Sequence, residues 1–406
     1  MGIFVYSSQV NSLYYILQTK GLLYQMNIYL KKILKNDRFL CTCLAVFISI
    51  AVILTSDYVF NEKDMSYNIE KARILEVDNR EMSEDPFVNN LYVGRQYLNV
   101  EILTGKHKGI QRNIASSISR YYNYYAKEDM TMLFWIREEN NRIIDMGMYG
   151  YSRDGFIISF VGIFFAILIL IGRAKGLYSV ISLVFTLIMV IFFTIPHILN
   201  GSNPVIMAII TSIITTIISI ILISGYNKKS LSAIIGVIAG VTIAGVVGYF
   251  AGQIANLSGI NMPEAEEMML LARESNIQVK EVLFAGIIIA SLGAMMDTGM
   301  SIASSVFELH SVNNKLTFKE LYKSGMNIGR DTMGTMSNTL ILAFAGGSIS
   351  ILIMLVLYDF PYIRLMNLDI LGLEVIQGIS GSIGLIFAVP ITAFVSAFFI
   401  TKTPKK

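Results

Sequence analysis

The chain has 406 residues, of which 54% are hydrophobic and 15% are charged, and its formal net charge at pH 7 is only +3. Soluble proteins carry about 25% charged residues, so this composition excludes a cytosolic enzyme and a nucleic-acid-binding protein. The apolar residues gather in eight stretches, at 39–56, 156–172, 177–195, 203–224, 231–254, 282–307, 334–358 and 375–401. Because a helix crosses a bilayer in about 17–25 residues, they predict a mainly α polytopic membrane protein with about eight transmembrane helices.

A basic segment, residues 1–38, precedes the first predicted transmembrane helix at 39–56. Met26 opens a basic run directly before that helix and is an alternative to Met1 as the true start of the chain. The residues at the end of this helix and directly after it, Ile53-Leu-Thr-Ser-Asp-Tyr, do not form the small-residue site at which a signal peptide is cleaved. We therefore interpret the first helix as an uncleaved membrane anchor.

Residues 57–154 follow the first helix and are predicted to be a β-rich extracytoplasmic domain. Apolar and polar residues alternate at 71–77 and at 97–103, which is the pattern of half-buried strands, and 130–136 is a third candidate strand. Thr104-Gly105 and Lys108-Gly109 supply turn residues. We expect a small barrel or meander here.

The remaining predicted helices form a seven-helix transmembrane domain at 155–401, followed by a short basic tail at 402–406. Glycines recur at helical spacing in its fifth and last helices, at Gly236, Gly240, Gly248 and Gly252 and at Gly378, Gly381 and Gly384. Because glycine lets helix backbones approach closely, this spacing favours tight helix packing over a direct ligand role.

Two polar stripes lie on the sixth and seventh predicted helices. The first consists of Asp297, Ser301, Ser304, Ser305 and Glu308, and the second of Asn327, Asp331, Thr335 and Asn338 with Arg330 beside it. Two helices joined by a short loop run antiparallel, so the stripes can face one another. At about 1.5 Å per residue, Asp297 and Arg330 reach similar depths, and we expect them to pair.

Asp297 is the one charged residue in the eight apolar stretches. A charge at a helix centre in the membrane costs about 2.5–3.5 kcal/mol, so it needs a partner, a water-filled cavity or a function. One interpretation is a binding site for a cation, proton or polar solute, with Asp297 and Asp331 as charges and the hydroxyl and amide oxygens as ligands. The other is a salt-bridged seam that only fixes helix register. Whether a metal ion binds is left open.

The distribution of basic residues indicates the orientation. With the amino terminus inside, sixteen Lys and Arg lie on the inner side, whereas the short outer loops hold only Arg273, Lys280 and Arg364. Basic loops remain on the cytoplasmic side, so both termini are predicted to be cytoplasmic. The sequence contains no P-loop, no HExxH motif and no clustered Ser, His and Asp, so we expect no enzyme activity and no cofactor.

All stripe residues except Glu308 lie within two long motifs, Gly293-Ala-Met-Met-Asp-Thr-Gly-Met-Ser-Ile-Ala-Ser-Ser and Ser324-Gly-Met-Asn-Ile-Gly-Arg-Asp-Thr-Met-Gly-Thr-Met-Ser-Asn. Through these motifs the chain after about Arg38 resembles the YibE/F-like family of bacterial multi-pass membrane proteins, although Phe344 stands where a Tyr is expected. The resemblance implies a bacterial cytoplasmic membrane and a permease or efflux role without a defined substrate. It also marks seven of the stripe residues: Asp297, Ser301, Asn327, Arg330, Asp331, Thr335 and Asn338.

Our leading hypothesis is a membrane transporter or permease for an ion or small polar solute, working by alternating access at a site between the sixth and seventh helices. The alternative is a non-transporting scaffold or sensor whose extracytoplasmic β-domain binds a partner. The expected partners are the lipid bilayer and a small polar solute or cation, and no nucleic acid. A homo-oligomer or a complex with a family paralogue is left open.

Overall fold

The structure is a computed structural model that describes residues 37–55, 67–257 and 279–402. Residues 1–36 of the predicted basic segment, both candidate start residues, Arg273 in its outer loop and the tail from residue 403 onward lie outside the described residues. The chain is mostly helical and divides into two compact units, one at 60–170 and one formed by 1–59 and 171–406.

The unit at 60–170 contains a five-stranded antiparallel sheet in the order β3-β2-β1-β4-β5. The strands are β1 (Asn68–Glu84), β2 (Tyr92–Ile102), β3 (Gln111–Ile118), β4 (Thr131–Glu139) and β5 (Arg142–Tyr151). Every second residue is buried over parts of β2 and β4, namely Leu98, Val100 and Ile102, and Met132, Phe134 and Ile136. Because side chains alternate between the two faces of a strand, these residues form one apolar core on the inner face of a β half-barrel.

The predicted β-rich domain is confirmed. The segments 71–77, 97–103 and 130–136 fall almost entirely within β1, β2 and β4, and the loop between β2 and β3 contains both predicted turns. Its glycines need positive φ, at 71° for Gly105 and 87° for Gly109. Strands β3 and β5 were not predicted.

The helices are α1 (Asp37–Thr55), α2 (Asp154–Ile188), α3 (Ile195–Leu199), α4 (Pro204–Ser224), α5 (Lys228–Ile254), α6 (Val279–Val312), α7 (Phe318–Gly347), α8 (Ile349–Leu357), α9 (Tyr362–Leu365) and α10 (Asp369–Thr401). Within the described residues, six helical segments are long and apolar enough to cross a membrane: α1, the run from α2 through α3, α4, α5, α6 and α10. Helices α7 and α8 meet the same criteria only as a pair, bent by 60° relative to each other. If this pair forms one span, the described residues contain seven candidate membrane spans instead of six.

This count differs from the predicted eight because the second and third apolar stretches share one helical run, Asp154–Leu199, of 46 residues. The run departs from helical geometry at Arg173, where φ is 50° and ψ is −131°, and contains a π-helical turn at Met189–Thr194. Two spans of about 20 residues fit within it on either side of Arg173. A local break at this residue therefore replaces the expected loop.

Helices α5 and α10 make the most extensive contact in the helical unit. A Cβ atom on Gly240 would lie 2.8 Å from the carbonyl oxygen of Gly384, and one on Gly384 would lie 2.5 Å from that of Gly240. The absence of side chains at both positions lets the two backbones touch. The predicted glycine-mediated packing is confirmed at this crossing; α6 packs against both of these helices and α7 packs against α10.

Candidate polar site on helices α6 and α7

Helix α7 begins sharply after the short loop that follows α6. Thr317 and Glu320 form a capping box, in which the Thr317 N–H donates to Glu320 Oε2 at 2.8 Å and the Glu320 N–H donates to Thr317 Oγ1 at 3.4 Å. Such a box satisfies backbone donors that the first turn leaves without partners. It fixes where α7 starts, and with it the position of the polar residues along the helix.

Contacts of two α7 glycines define the register between the two helices. A Cβ on Gly325 would lie 2.7 Å from Val306 Cγ2, and one on Gly329 would lie 3.6 Å from Ile302 Cδ1. A step of four residues toward the C-terminus of α7 thus matches a step of four toward the N-terminus of α6. The helices run antiparallel, as predicted.

Extending this register places the predicted site residues at neighbouring depths. Asp297 is level with Gly334, and Ser301 is level with Arg330. Arg330 therefore lies four residues, or about 6 Å along the helix axis, from the level of Asp297. The expectation that the two charges reach similar depths agrees with this register.

The stripes lie on the outer sides of their helices instead of facing each other across a closed seam. The exposed members are Asp297, Ser301, Glu308, Asn327, Arg330, Asp331, Thr335 and Asn338, whereas Ser304 and Ser305 are half-buried. The core-facing side of α6 is mainly apolar, with Met295, Ile302 and Val306 fully buried, and it also contains the buried hydroxyl residues Ser291 and Thr298.

The expected ion pair between Asp297 and Arg330 is not formed. Arg330 Nη1 donates to Asn327 Oδ1 at 3.2 Å, within its own helix. The Ser305 hydroxyl donates to the Ser301 carbonyl at 2.8 Å, again within one helix. Across the described residues, no ion pair or side-chain hydrogen bond joins the two stripes, because each points outward from the contact between the helices.

No neighbouring side chain covers this surface in the described chain. A Cβ added to Gly286, Gly293 or Gly334 would meet no atom within 4 Å. A charge that faces lipid at the centre of a membrane-spanning helix costs about 2.5–3.5 kcal/mol. Asp297 is exposed on this face and lies within an apolar stretch, so in a membrane its contact with water, a ligand or another protein surface is favoured over contact with lipid.

The chemistry of the surface suits a cation or a polar solute. Two carboxylates, Asp297 and Asp331, lie near hydroxyl and amide groups, all of which offer oxygen ligands. Among the residues the structure describes, no group of three or more His, Cys, Asp or Glu side chains is placed to hold a metal ion.

A break between α7 and α8 was missed by the sequence analysis. The chain bends by 60° at Ser348, a buried residue that follows Gly346 and Gly347. Broken helices inside membrane proteins occur where the backbone is buried in protein or lines a water-filled cavity. The Gly-Gly-Ser sequence was the available signal, because glycine weakens a helix.

A row of buried hydroxyl groups in α4 was also missed. Its members are exposed by 1% or less and comprise Thr211, Ser212, Thr215, Thr216 and Ser219. Thr211 Oγ1 lies 2.6 Å from Thr194 Oγ1, at the end of the π-helical turn. The hydroxyls of Ser212, Thr216 and Ser219 have no hydrogen-bond partner among the described residues. The hydroxyl residues recur every three to four residues in the sequence. Helix α4 is nevertheless so rich in isoleucine that it was interpreted only as an apolar span.

Comparison with known proteins bears on both stripes. The family model for YibE/F-like proteins matches residues 160–402. The chain belongs to the YibE/F-like protein family. The matched region contains every predicted site residue and helices α4 to α10, whereas the β-sheet lies outside it. Searches of curated proteins and of solved structures found no significant match. The apolar helices and the family together identify a YibE/F-like membrane protein.

Proposed function

We propose that this YibE/F-like protein is a permease of the bacterial cytoplasmic membrane for a cation or small polar solute, without enzymatic activity. The observation that carries the proposal is the exposed polar surface of α6 and α7, on which Asp297 and Asp331 have no ion-pair partner in the described chain. Ionisable residues at membrane depth mark solute and ion pathways. The basic loops favour cytoplasmic termini.

In this proposal Asp297 is the carboxylate that binds the cation or proton, and Arg330 is its counter-ion in one conformational state. Asp331, Thr335 and Asn338 form the opposing wall of the path. The bend at Ser348 offers a position at which α7 and α8 can move relative to each other, as alternating access requires.

The test uses the purified full chain in liposomes, with uptake of sodium and rubidium ions measured by radiotracer and proton movement by an internal pH dye. We expect Asp297→Asn to reduce the uptake at least about tenfold, the loss caused by about 1.4 kcal/mol of weakened interaction. Asp359→Asn is the matched control, because Asp359 follows α8 at φ 48°, a conformation that Asn also adopts. Uptake by Asp297→Asn at the wild-type rate would contradict the proposal.

A second candidate function is a scaffold or sensor that binds a partner through the β-sheet unit. The supporting observation is an open cleft of about 370 Å³, lined in part by Ser116, Ser119, Tyr122, Tyr124 and Tyr149. Tyrosine combines apolar area with a hydroxyl group and is common at binding surfaces. Under this alternative, deleting residues 57–154 abolishes the cellular phenotype of the protein, whereas Asp297→Asn preserves it.

A further inference from the structure

We propose that the polar site is completed by a second copy of this chain. The α6–α7 surface of one copy packs against the same surface of the other, so that Asp297 of each copy faces Arg330 of the partner subunit. This inference rests on the proposed function for the role of the site, and it adds that the path lies between two subunits.

The first observation is that the surface carries an acid and a base that do not pair with each other. Asp297 and Arg330 are both exposed, lie about 6 Å apart along the helix axes by the register above, and form no ion pair in the part of the chain that the structure describes. A twofold axis brings the same patch of two subunits together. Both Asp297–Arg330 pairs then form at once, so the surface is complementary to itself.

The second observation is the size of the exposed residues. On α6 the exposed stripe continues from Asp297 through Gly293, Ala290 and Gly286. On α7, the exposed residue Gly334 lies at the level of Asp297. Small residues at this spacing let two helices approach closely and are typical of helix–helix contacts in membranes.

Large apolar side chains are exposed elsewhere in the same unit, including on α7 beyond the polar stripe, where Ile341 and Leu342 are 45% and 61% exposed. Val246 and Phe250 on α5 are 48% and 59% exposed, and Ile386 and Phe387 on α10 are 41% and 49% exposed. Those surfaces suit lipid, whereas the surface of small and charged residues on α6 and α7 suits a protein partner.

In the conformational state in which Asp297 pairs with Arg330 of the partner subunit, the remaining polar groups face the solute. Asp331, Thr335 and Asn338 occupy successive turns of α7 beside the paired residues. In the dimer these groups from both copies line the space between the subunits, so a single copy provides only half of the path.

The test exchanges the two charges between copies that carry different affinity tags. In wild-type protein the two tagged copies should co-purify from mild detergent. Asp297→Arg alone, or Arg330→Asp alone, places like charges opposite each other, which we expect to reduce co-purification at least about tenfold. Mixing the Asp297→Arg copy with the Arg330→Asp copy should restore it, because opposite charges again meet across the interface. Lys315→Asp, in the loop between α6 and α7, is the control and should change nothing.

A second measurement does not depend on charge. In a Cys41→Ala/Cys43→Ala background, Gly334→Cys should form a disulfide-linked dimer in native membranes, whereas Val246→Cys on exposed α5 should not. Failure of the wild-type copies to co-purify, no restoration by the mixed charge variants, or cross-linking of Gly334→Cys to a different protein would each overturn the proposal. Neither measurement requires transport. A dimer that moves no ion would support this inference and contradict the proposed function, and a transporting monomer would do the reverse.

Discussion

Two glycines at the crossing of α5 and α10 determine how closely these helices pack. A side chain on Gly384 would place its Cβ atom 2.5 Å from the Gly240 carbonyl oxygen, so Gly384→Ala must push the backbones apart. Overpacking of this kind costs about 1–3 kcal/mol, and we expect a lower unfolding temperature of the full chain in detergent. Gly162→Ala is the control, since nothing lies within 4 Å of its Cβ position. If Gly384→Ala and Gly162→Ala had equal unfolding temperatures, the contact between α5 and α10 would accommodate an additional methyl group without separating the backbones.

Asp85 in the β-sheet unit makes folding stability depend on pH. Its side chain is 2% exposed and accepts hydrogen bonds from Arg120 Nε at 2.5 Å and from the backbone N–H of Phe87 at 2.8 Å. The hydrogen bond from Arg120 is the main reason that the pKa of Asp85 is lowered from its usual value. A carboxyl group with a lowered folded-state pKa adds stability above its unfolded pKa of about 3.9, and this stability is lost as the pH falls through the folded pKa.

We therefore expect Asp85→Asn to unfold at lower urea concentration than wild type at pH 7, with the difference shrinking as the pH falls below about 4. Trp135 in β4 is the single tryptophan of the sequence, so its fluorescence reports on this unit within the full chain. Asp129→Asn is the control, because Asp129 is exposed and has a positive φ of 62°. A difference between Asp85→Asn and wild type that did not vary with pH would contradict this account.

At the scale of elements, residue periodicity predicted which residues share a face but not where that face points. The stripes on α6 and α7 were predicted from spacing alone. Their outward direction was not predictable, because it depends on α10, which packs against both helices, and on α5, which packs against α6. The prediction of an ion pair between Asp297 and Arg330 was wrong for the same reason.

Strands β3 and β5 lacked a signal that periodicity could detect. Only Ser116 and Ile118 are buried in β3, and one of them is polar. In β5, a glycine is required at position 147, because its Cβ would lie 2.5 Å from the Trp135 ring. That requirement arises from a neighbouring strand, so it does not produce an alternating pattern within β5 itself.

The bend between α7 and α8 should depend on its two glycines. Replacing both Gly346 and Gly347 with alanine favours helix by about 1 kcal/mol per residue, and neither new side chain meets an atom within 4 Å. Between spin labels at Lys323 and Leu357, a 60° bend corresponds to about 46 Å and a straight helix to about 51 Å, at 1.5 Å per residue. We expect the double variant to shift the measured distance toward the longer value.

Gly334→Ala, in the middle of α7, is the control for this distance measurement and should keep the shorter value. If the double variant also keeps the shorter distance, the bend is imposed by packing of Ser348 and not by the glycines.

For the whole molecule, composition established a membrane protein, and the basic loops predict its orientation. In a background without Cys41 and Cys43, Lys106→Cys in the β-sheet unit should react with a membrane-impermeant thiol reagent added to intact cells. Lys315→Cys, between α6 and α7, should react only after the membrane is opened. Both residues are exposed in the structure, so neither result is limited by burial. The reverse pattern would invert the proposed topology.

We propose that the α6–α7 surface contacts protein or water and not lipid. The most direct test is a cryo-electron microscopy map of the full chain in a lipid nanodisc, resolved well enough to show what lies against Asp297. We expect a second subunit, with Arg330 of the partner subunit facing Asp297 and ordered water beside Asp331. Acyl-chain density packed along Gly286, Gly293 and Asp297 of a single copy would contradict it.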